Sequence, residues 1–171
     1  MNTLELIIAG FGGQGVMSLG MLLAYAGMEQ GLQVSWLPSY GPEQRGGTAN
    51  CGVVISADPI GSPVVTEPNV AVIMNRPSLY KFAPRVSRGG RLFINSSLVT
   101  DRPERTDLEV FAIPANDVAR ELGNPRVANM VMAGALVEAL GVLDMEVVKR
   151  CLKKVLPPHR HGLIPLNEQA L

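Results

Sequence analysis

Leu4-Glu5-Leu6-Ile7-Ile8-Ala9-Gly10-Phe11-Gly12-Gly13-Gln14-Gly15 opens the chain with a short apolar run stopped by a glycine loop. Leu4 to Ala9 has the composition of a buried strand. From Gly15 to Gln30 the residues Val16, Leu19, Leu22, Leu23 and Ala26 recur at helical spacing, and Gly31 supplies the C-terminal stop. Strand, glycine loop and helix in that order announce an α/β domain.

Working outward, Leu32 to Leu37 reads as a second strand closed by Pro38, and Ala49 to Ile55 as a third. Pro63 to Thr66 suggests a short strand that would form a hairpin and make the sheet mixed. Val70 to Met74 is a further buried strand, and Pro77 opens a short helix at a position where its missing N–H costs nothing. Arg91 to Asn95 and Glu109 to Ile113 complete the strands. Two helices finish the pattern. Pro125 to Leu140 is built of small and aliphatic residues, and Asp144 to Leu156 has an N-cap aspartate and a lysine-bearing last turn. The alternation predicts one domain over residues 1–171. Its expected form is a three-layer α/β/α sandwich, Rossmann-like, around a mostly parallel but mixed sheet. The tail after Pro157-Pro158 carries both histidines and is expected to stop short of a last helix.

Gly10–Gly15 satisfies G-x-G-x-x-G between a strand and a helix, a setting that brings backbone amides close to an anion. The same glycines equally serve close helix–strand packing. A dinucleotide site also needs an acid at the end of the second strand. That strand ends Ser35-Trp36-Leu37-Pro38, without a carboxylate, which argues against NAD.

A second polar loop, Ser39 to Cys51, carries Tyr40, Gly41, Glu43, Arg45, Gly46 and Gly47. In a parallel sheet the two loops share the edge where such folds bind ligands. Arg45 presents a fork of donors suited to phosphate or carboxylate, and Glu43 is an acceptor for an amine or hydroxyl. An Arg45–Glu43 pair that merely braces the loop is the alternative. Asn75, ending another strand, serves either as a phosphate donor or as a helix cap. The candidate cofactor-binding residues are thus Gly10, Gly12, Gly13, Gln14, Gly15, Tyr40, Gly41, Glu43, Arg45, Gly46, Gly47 and Asn75. Arg126 and Asn129, one turn apart, are offered as a further ligand or subunit contact.

Composition narrows the function. Net charge is zero and aromatics make up 5%, so nothing favours nucleic acid. No run of about 18 apolar residues exists to span a membrane. Without a leader-like N-terminus the chain reads as cytoplasmic. Cys51 and Cys151 lie far apart, so this chain alone is expected to hold no metal and no iron–sulfur cluster. His159 and His161 lack ligand partners at metal spacing. No catalytic constellation is present, and the isolated chain is expected to be inactive.

Taken in order, GFGGQGV, WLPSYGPEQRGGTANC, PIGSPVV, NRPSLYKFAP and GNPRVANMVMAGAL resemble the γ subunit of 2-oxoacid:ferredoxin oxidoreductases. The second loop is most similar to the 2-oxoglutarate and branched-chain (2-oxoisovalerate) types, less so to the pyruvate type. The family loop usually reads Pro-Glu-Met-Arg-Gly-Gly, and Gln44 stands here in place of the methionine. The resemblance implies a holoenzyme that decarboxylates a 2-oxoacid on thiamine diphosphate with Mg, reduces ferredoxin through iron–sulfur clusters and forms acyl-CoA. It places thiamine diphosphate between α and β subunits and the clusters in β or a small δ subunit. It leaves the γ subunit to shape the active-site entrance and the CoA channel.

Overall fold

A computed structural model describes residues 3–41 and 48–171. Its sheet has six strands, β1 (Leu4–Phe11), β2 (Gln33–Tyr40), β3 (Thr48–Ser56), β4 (Val70–Ile73), β5 (Arg91–Asn95) and β6 (Glu109–Ile113), in the order β2-β3-β1-β4-β5-β6. β1, β4, β5 and β6 are parallel, while β3 runs antiparallel to both β1 and β2. The sheet is therefore mixed because of β3. Residues 63–66 form no strand, contrary to the hairpin expected there. Their Val65 instead folds down over Gly52, where an added Cβ would sit 3.3 Å from it.

Pro38 does not close β2, which continues to Tyr40. The physical reason is position: β2 is an edge strand, so a residue without an N–H can leave its outer side unpaired at no cost. The Ser39–Cys51 segment is consequently a hairpin connection between β2 and β3, not a strand-to-helix loop. Its ends still lie beside the first glycine loop, since Phe11 pairs with Thr48 and Tyr40 with Ala49.

Helices cover both faces, giving the three-layer sandwich. One face packs α1 (Val16–Glu29), α3 (Ala115–Glu121), α4 (Ala128–Leu140), α5 (Met145–Val155) and α6 (Ile164–Ala170) around Leu6, Ile8, Val53 and Phe93. The other packs α2 (Arg76–Phe82) and loop residues Val65, Val99 and Leu108 on Ile7, Ile73 and Ile94. α3 and α6 are additions to the sequence reading. Both are short, and α3 is buried only through Ala115 and Ala119, so neither shows a long apolar period. The tail, expected to lack a final helix, folds as a 3-10 turn over Pro158–Leu163 and then α6.

α4 follows a 3-10 turn at Pro125–Val127 and is buried from Ala128 to Gly134. Gly134 lies against the chain's own end, because a Cβ there would meet Leu171 O at 2.2 Å. The small-residue helix is thus a tightly packed seam. α5 starts as expected, with Asp144 Oδ1 accepting from Val147 N at 3.0 Å.

Candidate functional site

The carboxyl ends of β1 and β4 are where the chain turns to opposite faces, α1 to one and α2 to the other. Open α/β sheets leave a crevice at such a switch point. Here Gln14 lies across it. Its Oε1 accepts from Phe11 N at 2.6 Å and its Nε2 donates to Met74 O at 3.0 Å, so the side chain ties the β1 loop to the end of β4. Gly10 must be glycine beneath it, as a Cβ would stand 2.6 Å from Gln14 Oε1 and 2.8 Å from Met74 Cβ. Gln14, expected to meet a ligand, is used to shape the loop, as is Gly10.

Gly13 and Gly15 adopt left-handed backbone at φ 94° and 76°. Gly15 is the N-cap of α1 and no side chain caps the helix. The first helical bond runs from Leu19 N to Gly15 O at 3.0 Å, which leaves the preceding amides of Val16, Met17 and Ser18 without intrahelical acceptors. Above them opens a cleft of about 340 Å³ lined by Phe11, Gly12, Gly13, Gly15, Val16, Met17, Ser18, Tyr40, Thr48, Ala49 and Arg160. Tyr40 is 66% exposed on its rim. Gly41 N donates to Thr48 O at 2.9 Å, drawing the hairpin arms together beside it. Glu43, Arg45, Gly46 and Gly47 lie outside the described residues.

Asn75 caps α2, its Oδ1 accepting from Ser78 N at 2.9 Å. Its buried Nδ2 has no partner among the described residues. Of the two sequence readings, the cap is realised. Asn129 turns inward, donating from Nδ2 to Gly15 O at 3.2 Å, so it supports the glycine loop from below. Arg126 stays exposed in the preceding turn, so the pair does not share a helix face.

Ser18, Thr48 and Arg160 are cleft residues that the sequence reading passed over. Arg160 stands between His159 and His161, the residues of this tail whose type alone suggests metal binding. His161 instead hydrogen-bonds Leu156 O through Nε2 at 2.8 Å. Among the described residues no cluster of His, Cys, Asp and Glu suits a metal ion, and no helix is long and apolar enough to cross a membrane. Cys51 is fully buried and burial pushes its thiol up to about 12. Cys151 is raised too, by burial and then by Glu29. Neither favours the thiolate that binds metal. β2 carries no carboxylate along its full length, so the ribose partner of a dinucleotide is missing.

Residues 5–171 match the sequence profile of the family described as pyruvate ferredoxin/flavodoxin oxidoreductase. The chain belongs to this family. It is 38% identical over 161 residues to the 2-oxoglutarate synthase subunit KorC of Methanothermobacter marburgensis, covering 90% of this chain and 87% of that subunit. It is 46% identical over 139 residues to the ketoisovalerate oxidoreductase subunit VorA of the same organism, covering 81% of this chain. The matched region spans only 29% of VorA's length, so that relative carries much more chain. The structure of the keto/oxoacid ferredoxin oxidoreductase γ subunit from Geobacter sulfurreducens superposes with a TM-score of 0.83 at 28% identity, covering 98% of this chain and 93% of that one. The cleft described above is thus a feature of a γ-type member of the pyruvate ferredoxin/flavodoxin oxidoreductase family.

Proposed function

We propose that this chain is the γ-type subunit of a 2-oxoacid:ferredoxin oxidoreductase, which converts a 2-oxoacid and CoA to acyl-CoA and CO₂ while reducing ferredoxin. The likeness to KorC over nearly the whole of both chains carries the reading. Thiamine diphosphate, bound with Mg elsewhere in the complex, would supply the carbanion chemistry of decarboxylation. This chain's residues do not fit the redox groups: its two cysteines are buried, protonated and set on different elements, whereas a cluster takes four thiolates. In this reading the clusters belong to the β subunit or a small δ subunit, and ferredoxin docks on the holoenzyme.

What this chain offers the complex is the carboxyl edge of its sheet. The glycine loop, braced by Gln14 and Asn129, stands there beside Tyr40 and the facing ends of β2 and β3. We assign that edge to the entrance through which CoA reaches the reacting centre. The 2-oxoacid is 2-oxoglutarate or a branched-chain acid in this reading.

The test is co-expression with the subunits encoded beside it. The complex should reduce ferredoxin or viologen with a 2-oxoacid and CoA, and the purified single chain should be silent with thiamine diphosphate supplied. Turnover by the single chain, or its failure to join any such complex, would sink the proposal.

A further inference from the structure

We propose that the outer edge of β6 is a self-association surface, where a second copy of this chain adds its own β6 antiparallel with Phe111 on the two-fold axis. The two edges of the sheet are built differently. β2 carries Pro38, which cannot donate along the outer side and so blunts strand addition. β6 contains no proline, glycine or lysine, and its one charged residue, Glu109, is paired with Arg91 at 2.9 Å. Glu109 N donates to Gly90 O and Ile113 O accepts from Ser96 N, so Glu109, Phe111 and Ile113 turn their backbone groups to β5. Val110 and Ala112 therefore present N–H and C=O outward, and among the described residues nothing pairs with them. β2 and β3, which residues 42–47 connect, are separated from this edge by β1, β4 and β5.

The side chains of this edge fit a copy of themselves. Val110 and Ala112 lie on the face that α2 covers over β1 and β4, and both are exposed, Val110 to 43%. A cavity of about 580 Å³ beside them, with Ile94 and Val99 also in its lining, marks where the covering layer stops short of β6. Phe111 faces the opposite way and is fixed by stacking on Phe93, with ring centroids 4.5 Å apart. With Phe111 opposite its own counterpart, Val110 meets the second copy's Ala112 and Glu109 meets its Ile113. The outward groups of Val110 and Ala112 then form hydrogen-bonded pairs, apolar side chains face each other and the two glutamates stay apart. Centring on Val110 would set Asp107 against Ile113 and Glu109 against Phe111. Centring on Ala112 would set Val110 against Pro114, which has no N–H to give. A foreign strand would satisfy the backbone equally well. Two-fold matching of the side chains singles out the copy, and zero net charge lets copies meet without long-range repulsion.

The test is sedimentation equilibrium of the full chain at rising concentration, with amide exchange followed at Val110 and Ala112. The monomer mass should give way to twice that mass. The two amides, fast to exchange in dilute protein, should become protected over the same range. Val110→Lys sets two cations diagonally across the axis and should weaken the dimer by about tenfold or more. Because Val110 is exposed, the dilute variant should melt with the parent. Leu37→Lys, equally exposed at 43% but on β2, should dimerise as the parent does. With a fraction of the copies isotope-labelled, magnetic resonance should place the Phe111 Hα against that of its counterpart, as a non-hydrogen-bonded antiparallel pair requires. A chain that stays monomeric throughout overturns the proposal, as does a dimer whose Val110 and Ala112 amides still exchange fast. Loss of the dimer in Leu37→Lys but not in Val110→Lys overturns it in favour of the β2 edge. A contact centred on another residue refutes the pairing. Protection of the two amides only when other subunits are added assigns the edge to a foreign strand and overturns the self-association.

Discussion

Replacing Gly15 with alanine tests how the glycine loop is held. Two independent costs meet at this position. Gly15 has φ 76°, and an L side chain in the left-handed region costs roughly 1–2 kcal/mol. Its Cβ would also fall 2.3 Å from Asn129 Nδ2 and 2.6 Å from Asn129 Cγ, inside any van der Waals contact. The Asn129 amide must swing away, breaking its bond to Gly15 O and leaving a buried amide unsatisfied at about 1–3 kcal/mol. Together the variant should lose about 2–5 kcal/mol, a large share of the 5–15 typical of a domain. Urea unfolding monitored by far-ultraviolet circular dichroism reads this directly, with a melting temperature lower by roughly 5–15 °C. The double variant Gly15→Ala/Asn129→Ala isolates the amide contact: with the amide gone, the backbone strain of Gly15→Ala and one tight Cβ–Cβ contact at 3.0 Å should remain. The two changes should therefore be far from additive. A Gly15→Ala protein within about 0.5 kcal/mol of the parent, or strictly additive single changes, would refute the reasoning.

Gly134→Ala should destabilise despite alanine's helix propensity, which favours it by about 1 kcal/mol, because the added Cβ meets the backbone of Leu171 at 2.2 Å. The measurement is urea unfolding with amide exchange of α6, and a more stable variant would show that α6 yields freely. Cys51 should resist thiol reagents in the native protein at pH 8 and label at the rate of unfolding. Its folded thiol, at about 12 against 9.0 unfolded, keeps a proton that the unfolded chain loses. Stability from this group is thus full below pH 9 and falls as pH rises above it, by about 2 kcal/mol at pH 10.5. Denaturation midpoints of the parent should drop more steeply over that range than those of Cys51→Ala, and parallel profiles would contradict the burial argument.

Much of this fold was legible because its signals are local. Leu4–Ala9 and Val70–Met74 are apolar runs, α1 has a clean helical period ended by Gly31, and Asp144 is a cap visible as such. Each depends on residues within a turn or two, so the sequence alone determined an α/β sandwich with a glycine loop after its first strand. The motif order also marked the family, since peptide wording is a property of the chain and not of its folding. Partner choice and direction were another matter. That β3 runs antiparallel between β2 and β1 depends on pairing with β1 across 37 to 51 residues as well as with β2 across 9 to 23, which leaves no periodic trace. That Pro38 sits within a strand depends on β2 being an edge. The site divides the same way. Gly13 and Gly15 were readable from spacing. Only the tertiary structure turned Gln14 and Asn129 into braces and carried Arg160, from a tail some 145 residues on, to the cleft wall. An arginine shows nothing of its role in its neighbours when its partners are made by the fold.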